Sequence, residues 1–256
     1  MHRYFIELSY NGAEFSGFQI QENANTVQWE VEQALKIIFK TPIPLTGSSR
    51  TDAGVNALCN FFQFDLVDFV SQAEWNKKVY NLNAILPAAI AIKRVFEVPS
   101  DWHCRFSAIY RRYRYRVYRE KNPFLVNRAL YFPYPLDIAL LNDAAAILLK
   151  HTDFESFSKR NTQVFTHNCL LEISRWFDDE GSLVYEVQGN RFLRGMVRGL
   201  VGTMLKVGTG KLSLHDFEKI IIEKDQSKVD FSVPGYGLYL QEVGYPALPT
   251  MPSTQS

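Results

Sequence analysis

Cysteine is scarce in this chain of 256 residues, and the three cysteines are far apart. Cys59, Cys104 and Cys169 are odd in number and widely spaced, which argues against a disulfide framework and fits a reducing compartment. His103 precedes Cys104, and His167 lies two residues before Cys169, but neither pair has the repeated ligand spacing of a zinc site. The sequence therefore predicts neither disulfides nor a metal site.

Long apolar runs and a large excess of positive or negative charge are also missing. No stretch of about eighteen uncharged apolar residues is present, and residues 1–8 begin a strand-like alternation rather than a signal-peptide pattern. These absences predict a cytoplasmic protein with no membrane span. The formal net charge is only +1, so a nucleic-acid surface has to come from local clustering of basic residues.

Hydrophobic residues make up 46% of the chain, enough to bury a sizeable core, and their spacing predicts two similar halves. Residues 1–100 follow the order β-α-β-β-α-β, and residues 101–246 repeat it with one additional short helix. Such split β-α-β units are ferredoxin-like. We predict an α+β fold in which both halves form one continuous, mostly antiparallel sheet, with helices on one face and a basic cleft between the halves. Residues 247–256 are predicted to be a flexible tail.

The element boundaries follow from the same periodicity and from turn residues. The sequence Asp-Asp-Glu-Gly at residues 178–181 predicts a hairpin turn between two strands. The predicted strands lie near residues 3–10, 44–49, 58–65, 89–97, 107–118, 169–177, 182–189 and 238–243, and the predicted helices cover residues 26–39, 71–82, 136–149, 191–206 and 213–223.

Residues 111–119, RRYRYRVYR, contain five arginines and no acidic residue. If this segment is a strand, alternate side chains point to opposite faces of the sheet. One face would carry Arg112, Arg114 and Arg116, and the other Tyr113, Tyr115 and Val117. Arginines suit phosphates and aromatic rings suit unpaired bases, so RNA contact is one interpretation. A solvated face over a packed one is the other.

The predicted helix at 191–206 has a second unusual pattern. Glycine inside a helix costs about 1 kcal/mol relative to alanine, so several glycines indicate a close approach of the backbone to another group. Tight packing of the helix on the sheet is the alternative for at least part of this face. Helical spacing places Arg191, Arg194 and Arg198 on one face, beside Gly195, Gly199 and Gly202.

Residues 47–57, GSSRTDAGVNA, contain the leading candidate for a catalytic residue, Asp52. Arg50 lies two positions earlier, and in an extended segment the two side chains share a face. A guanidinium there would keep the carboxylate charged. Ala53 and Gly54 leave room beside Asp52 for a flat ligand. A surface turn with a solvated arginine nearby explains the same residues equally well.

The segment 47–57 is similar to the RTDxGVHA signature of the tRNA pseudouridine synthase A family. The resemblance continues through most of the chain, and the order and spacing of its blocks are far more specific than any one of them. The further blocks are YNGAEFSGFQIQENANTVQ at 10–28, NAILPAAIAI at 83–92, CRFSAIYRRYRYRVY at 104–118, DFESF at 153–157, NRFLRGMVRGLVGTMLKVGTGK at 190–211 and GLYLQEVGYP at 237–246.

The resemblance implies an enzyme that isomerises uridines of the tRNA anticodon stem-loop to pseudouridine without a cofactor. Asp52 would act as nucleophile or as base at the ribose. Tyr113, matched to the first tyrosine of the family's RRYRY motif, would stack on the target base and could assist proton transfer at C5. Arg50 and Arg198 would orient the carboxylate and hold the flipped nucleotide, with Arg198 paired to Asp52. The resemblance also favours RNA contact for the arginines of residues 111–119, as basic RNA-binding elements of the second half. Family members work as homodimers, so a homodimer that binds tRNA is expected.

The chain departs from the family pattern at three places. Asn56 stands where the signature usually has histidine, Phe18 replaces the usual tryptophan, and residues 232–240 replace a run of small residues. Asparagine keeps a hydrogen bond but cannot carry a charge, so substrate positioning could differ. Two other hypotheses stay open: a synthase that acts on another RNA, and a catalytically idle tRNA-binding module.

Overall fold

The computed structural model describes residues 1–159, 165–246 and 248. The predicted tail, 247–256, lies outside the described residues except for Leu248. The described chain contains the strands β1 (His2–Tyr10), β2 (Thr46–Gly47), β3 (Asn56–Leu66), β4 (Ile90–Val98), β5 (Tyr110–Tyr118), β6 (Leu130–Tyr131), β7 (Leu171–Asp179), β8 (Ser182–Gly189) and β9 (Leu238–Gly244), and the helices α1 (Val27–Phe39), α2 (Gln72–Ile85), α3 (Ile138–Leu148), α4 (Met196–Gly208) and α5 (Leu214–Ile222).

All nine of these strands belong to one sheet, in the order β4-β1-β3-β9-β5-β8-β7, with β2 paired to β3 and β6 paired to β5. Within each half the spatial order is the same, because β9-β5-β8-β7 repeats the pattern of β4-β1-β3-β2. Pairing is antiparallel except between β3 and β9 and between β5 and β6. The predicted α+β class and the continuous, mostly antiparallel sheet are confirmed.

The two halves join where β3 runs parallel to β9. Two residue pairs form this joint, Asn56 with Tyr239 and Ala57 with Leu240. On its other side β9 pairs antiparallel with β5. The last strand in chain order therefore lies in the middle of the sheet, and β3 begins at this joint immediately after the segment that contains Asp52.

Capping residues set the helix starts in the first half. Thr26 accepts a hydrogen bond from the Trp29 backbone and begins α1. Ser71 and Glu74 form a capping box at the start of α2. The buried side chains of α1 recur at helical spacing and pack against the sheet, which explains why the sequence pattern located this helix within one residue: Val27, Val31, Ala34 and Leu35.

Strand β5 alternates as predicted between half-buried and buried side chains. We call the side that carries Tyr115 the helix face, because Tyr115 pairs with Tyr185, whose ring lies 5.1 Å from that of Trp176. The Trp176 indole donates a hydrogen bond to the Met204 sulfur of α4. The opposite side, which carries Arg114, is the open face.

The predicted start of the helix at 191 is wrong. Helix α4 begins at Met196, and Gly195 at its N-cap has a φ of 74°. This left-handed conformation suits glycine and ends the preceding segment abruptly, so helical spacing does not apply before it. Arg191 and Arg194 therefore do not share a helix face with Arg198. The short strand β6 was also missing from the prediction, since two residues carry no periodicity.

None of the helices in the described part of the chain has the length and apolar content of a membrane-spanning segment. The cysteines are free thiols, with Cys104 and Cys169 buried and Cys59 half-buried.

Candidate active site

Asp52 lies in the loop between β2 and β3, which we call the Asp52 loop (residues 48–55). The Val55 amide donates to the Asp52 carbonyl over 3.1 Å, and Gly54 between them has a φ of 75°. The loop is therefore a tight turn at Asp52, not an extended segment. The Thr51 carbonyl accepts from the Phe18 amide at 3.1 Å, which ties the loop to the segment before α1.

A buried hydrogen-bond network connects the Asp52 loop to strands β1 and β3. The Tyr10 hydroxyl of β1 lies 2.8 Å from the Thr51 hydroxyl. The Asn60 side-chain amide of β3 donates to Tyr10 at 3.1 Å and to the Ser49 carbonyl at 2.9 Å. Burial raises the pKa of Tyr10, so its hydroxyl stays protonated and available for these bonds. The loop that presents Asp52 is held on rigid strands.

Arg198 of α4 reaches across the joint between the halves to Asp52. Its Nη1 lies 3.4 Å from the Asp52 Oδ2, its Nε donates to the Val233 carbonyl at 2.7 Å, and its Nη2 donates to the Phe231 carbonyl at 3.4 Å. The Arg198 side chain is 16% exposed and that of Asp52 is 31% exposed. The two carbonyls fix the guanidinium, so the acid is oriented but still accessible.

The helix glycines explain how those carbonyls come so close to α4. A Cβ on Gly202 would lie 2.3 Å from the Asp230 carbonyl oxygen, and one on Gly199 would lie 2.8 Å from the Phe231 ring. Because neither glycine has a Cβ, the segment 229–233 can pack directly against the helix. This close approach, expected from the glycine pattern, is internal packing that positions Arg198 indirectly.

Arg50 does not form the expected pair with Asp52. Within the described residues no carboxylate lies at ion-pair distance from its exposed guanidinium. The reason is the turn at Asp52, since side chains two positions apart share a face only in an extended strand. Arg50 and Arg191 each lie close enough to Arg105 for their charges to interact with it. Burial first, and then the charges of these two arginines, lower the pKa of Arg105.

We call Arg50, Arg105 and Arg191 the cleft arginines, after the basic cleft that the sequence predicts between the halves. They come from the Asp52 loop, from the segment between the halves and from the segment before α4, so no sequence periodicity links them. Each lacks an acidic partner in the part of the chain that the structure describes. Arg105 was not among the predicted site residues, although it lies in the block at 104–118 that resembles the family.

Tyr113 lies on the helix face of β5 and is 8% exposed. Its ring meets the Phe192 ring edge to face at 5.1 Å. Burial chiefly raises the pKa of Tyr113 to about 12, the Arg111 charge opposes this shift, and the Asp52 carboxylate adds to it. The structure therefore brings Tyr113 close enough to Asp52 for their charges to interact, and the phenol is protonated at neutral pH.

The other arginines of β5, which we call the strand arginines (Arg112, Arg114 and Arg116), lie on the open face and have acidic partners. Arg112 lies 3.2 Å from Glu242, Arg114 lies 2.8 Å from Glu186, and Arg116 lies 2.8 Å from Asp179. These contacts favour the interpretation of the strand arginines as a solvated, ion-paired face. Their charge is not free for phosphates.

Comparison with known proteins agrees with this geometry. A sequence model of the tRNA pseudouridine synthase family matches residues 8–107 and 144–246, which include Asp52 and Arg198. The chain belongs to the tRNA pseudouridine synthase family. Tyr113, in contrast, lies between the two matched ranges.

Curated relatives match the tRNA pseudouridine synthase chain over nearly its full length. The protein named tRNA pseudouridine synthase A of Porphyromonas gingivalis is 43% identical over 249 residues, covering 96% of this chain and 98% of that protein. The protein of the same name from Parabacteroides distasonis is 42% identical, covering 96% and 97%. That of Bacillus licheniformis is 37% identical, covering 93% and 97%.

Two residues that depart from the family pattern, Asn56 and Phe18, have defined contacts in this synthase. Asn56 is 5% exposed, and its side chain accepts from the Gly12 amide at 2.9 Å and donates to the Tyr236 carbonyl at 2.8 Å. It thus fastens the Asp52 loop between both halves. Phe18 is 1% exposed and stacks on Phe62 at 4.5 Å, so it belongs to the core beneath the loop.

An acidic cluster elsewhere has the residue types of a metal site. Asp153, Glu155 and His167 offer ligand atoms within 4.8 Å of one another. The Lys224 ammonium, however, lies 2.7 Å from Asp153 and 3.1 Å from Glu155. Both carboxylates already share the lysine ammonium as a partner, so the cluster is an ion-pair network.

Proposed function

We propose that this chain is a tRNA pseudouridine synthase that isomerises uridines of the tRNA anticodon stem-loop. The single observation that carries the proposal is the Asp52–Arg198 pair at 3.4 Å, with the buried Tyr113 close enough for its charge to interact with that of Asp52. An accessible carboxylate among cations suits chemistry on a negatively charged polymer. Family membership supports the reaction class.

The reaction breaks the bond between N1 of the base and C1′ of the ribose, turns the base, and forms a bond from C5 to C1′. The proton of C5 leaves and N1 gains one, so atoms and electrons balance without a donor or cofactor. Asp52 acts on the ribose, either as the nucleophile at C1′ or as the base that removes a ribose proton. Both roles need the ionised carboxylate that Arg198 holds.

Tyr113 would contact the target base from the helix face of the sheet. Its ring is fixed by Phe192 at 5.1 Å, and its hydroxyl is protonated at neutral pH because burial raises its pKa. A fixed aromatic ring stacks on an extruded base, and a protonated hydroxyl beside it can relay the C5 proton.

The cleft arginines would hold the RNA while the target nucleotide is extruded. Removing a base from its stack costs a few kcal/mol, which phosphate contacts must offset. Arg50 and Arg105 are exposed and lack acidic partners in the described chain, so their charge is available for this. Arg198 would instead remain with Asp52.

The proposal extends to assembly and organisation. Residues 1–100 would form the half that presents the catalytic acid, and residues 101–246 the half that supplies Tyr113 and Arg198. We propose a homodimer in the cytoplasm, with one tRNA reached by both subunits. Sedimentation at micromolar concentration checks this part, and a monomer alone would contradict it.

The decisive experiment incubates unmodified tRNA transcripts with the wild-type protein, with Asp52→Ala and with the isosteric Asp52→Asn. Pseudouridine is mapped by chemical labelling and primer extension. Modification of the anticodon stem-loop by the wild type alone supports the proposal and the role of Asp52. Binding of tRNA without modification by any variant would favour an idle binding module, and modification elsewhere would favour another target.

A further inference from the structure

Phe106 is a large aromatic side chain that nothing in the proposed mechanism uses. It is 75% exposed in the turn between β4 and β5. Single exposed aromatic rings are common on protein surfaces, so the fixing of the backbone and the neighbouring charges decide what this ring can contact.

The backbone on both sides of Phe106 is held firmly. The buried Arg111 guanidinium donates to the Arg105 carbonyl at 2.6 Å and to the Ala108 carbonyl at 3.3 Å. The Ser107 amide donates to the His103 carbonyl at 2.8 Å, which closes the turn. The ring is therefore presented by a preorganised turn, and little conformational freedom is lost when it makes a contact.

The surroundings of the ring select the chemistry of its partner. The His103 ring contacts Phe106 at 4.4 Å, and the Arg105 guanidinium lies 5.6 Å from the centre of the Phe106 ring. Arg105 in turn interacts with the charges of Arg50 and Arg191. An exposed planar ring beside unpaired guanidinium groups suits a planar base linked to phosphates.

We propose that Phe106 stacks on an unpaired RNA base adjacent to the target uridine, at the rim of the same cleft. The cleft arginines hold the phosphates on either side of that nucleotide. Phe106 is then a positioning residue that keeps the loop of the RNA unstacked while Asp52 acts. This inference rests on the proposed function for the identity of the RNA.

Three substitutions test the stacking: Phe106→Ala, Phe106→Leu and Phe106→Trp. Each is measured for the Kd of an unmodified tRNA transcript and for the single-turnover rate of pseudouridine formation. Alanine and leucine are expected to weaken binding by about tenfold or more, because both remove the aromatic plane, while tryptophan retains it. Since the side chain is exposed, melting temperatures should stay unchanged.

Salt dependence separates stacking from charge. The slope of log Kd against log salt is expected to stay at the wild-type value in the Phe106 variants, because stacking releases no counterions. Phe124, which is 82% exposed, provides the matched control. Phe124→Ala should bind tRNA as the wild type does, and an equal loss there would mean only a general effect of exposed apolar surface.

Other outcomes overturn the inference while leaving the proposed function intact. Wild-type affinity in Phe106→Ala, or full affinity in Phe106→Leu, would show that no base stacks on the ring. A change of oligomeric state in Phe106→Ala, measured by sedimentation, would place the ring between two copies of the chain. Conversely, Phe106→Ala could lose affinity for tRNA while the wild type forms no pseudouridine. That result would support the stacking and reject the proposed reaction.

Discussion

The strand arginines and the cleft arginines have the same side chain and opposite surroundings. Each strand arginine lies within 3.2 Å of a carboxylate on the open face of the sheet. The cleft arginines have no such partner in the described chain, and burial first, then the charges of Arg50 and Arg191, lower the pKa of Arg105. Several cations that lie close together without counter-charges destabilise the folded protein. Proteins usually retain such an arrangement because it serves a function. Arginine density along the sequence is therefore a poor guide to free positive charge.

The largest expected effect is a loss of reaction rate on substitution of Arg198. Unlike the cleft arginines, Arg198 has an acidic partner, Asp52. Arg198→Ala removes the group that orients Asp52, and the single-turnover rate should fall by about 100- to 1000-fold. Arg198→Lys should recover only part of this loss, because an ammonium cannot reach Asp52 and two carbonyls at once. Arg116→Ala serves as the control and should react at the wild-type rate; an unchanged rate in Arg198→Ala would remove the pair from the mechanism.

The next largest expected effect is a loss of stability when Glu186, on the open face of the sheet, is replaced. The Glu186 side chain is 2% exposed and accepts from both Arg114 and Arg175. Glu186→Gln should lower the free energy of unfolding by about 1–3 kcal/mol, measured by urea denaturation, while tRNA affinity is retained. Asp179→Asn is the matched control at an exposed pair, with a loss below about 1 kcal/mol. A drop in tRNA affinity of Glu186→Gln would mean that the open face contacts RNA.

Salt titration of tRNA binding sharpens the comparison further. Arg105→Gln should weaken binding and reduce the slope of log Kd against log salt by about one, because one phosphate contact is lost. Arg116→Gln should leave the slope unchanged, since its charge is already neutralised by Asp179 at 2.8 Å. Equal slopes for both variants would abolish the distinction between the two groups.

The smallest effect is the pH dependence of the Glu186 contribution. Burial tends to raise the pKa of Glu186, but hydrogen bonds from Arg175 and Arg114 outweigh it and hold the pKa below its ordinary value. Its stabilisation is therefore complete above the unfolded pKa of about 4.3 and is lost as the pH falls through the lower folded pKa. The difference in unfolding free energy between the wild type and Glu186→Gln should shrink below about pH 4. A difference that stays constant down to pH 3 would contradict this.

Periodicity and turn residues were sufficient for most of the fold. Helix α1 follows the predicted bounds closely because its buried side chains recur at helical spacing. Strand β8 is buried along its whole length, and the turn at residues 178–181 located its start. The start of α4 was misplaced because the positive φ of Gly195 is a feature of the backbone that helical spacing cannot reveal. The parallel joint between β3 and β9 rests on two residue pairs distant in sequence, which no local pattern specifies.

The contacts of the site residues were predicted less completely than the fold. The family resemblance led to the Asp52–Arg198 pair, which the structure contains, although the roles of both residues stay predictions. Arg50 was assigned to Asp52 from spacing and from the resemblance, and the turn at Asp52 separates the two side chains. The strand arginines looked free because Glu186 and Asp179 lie about 60 or more residues further along the chain and meet β5 only across the sheet.

The central position of β9 sets the order in which the protein can mature during synthesis. The first half emerges from the ribosome early, whereas the carbonyls of Phe231 and Val233 and the strand that joins both halves emerge only after helix α5. Until then Arg198 lacks the two carbonyls that fix its guanidinium beside Asp52. A nascent chain that has not yet reached β9 therefore contains Asp52 without the arginine contact that orients it.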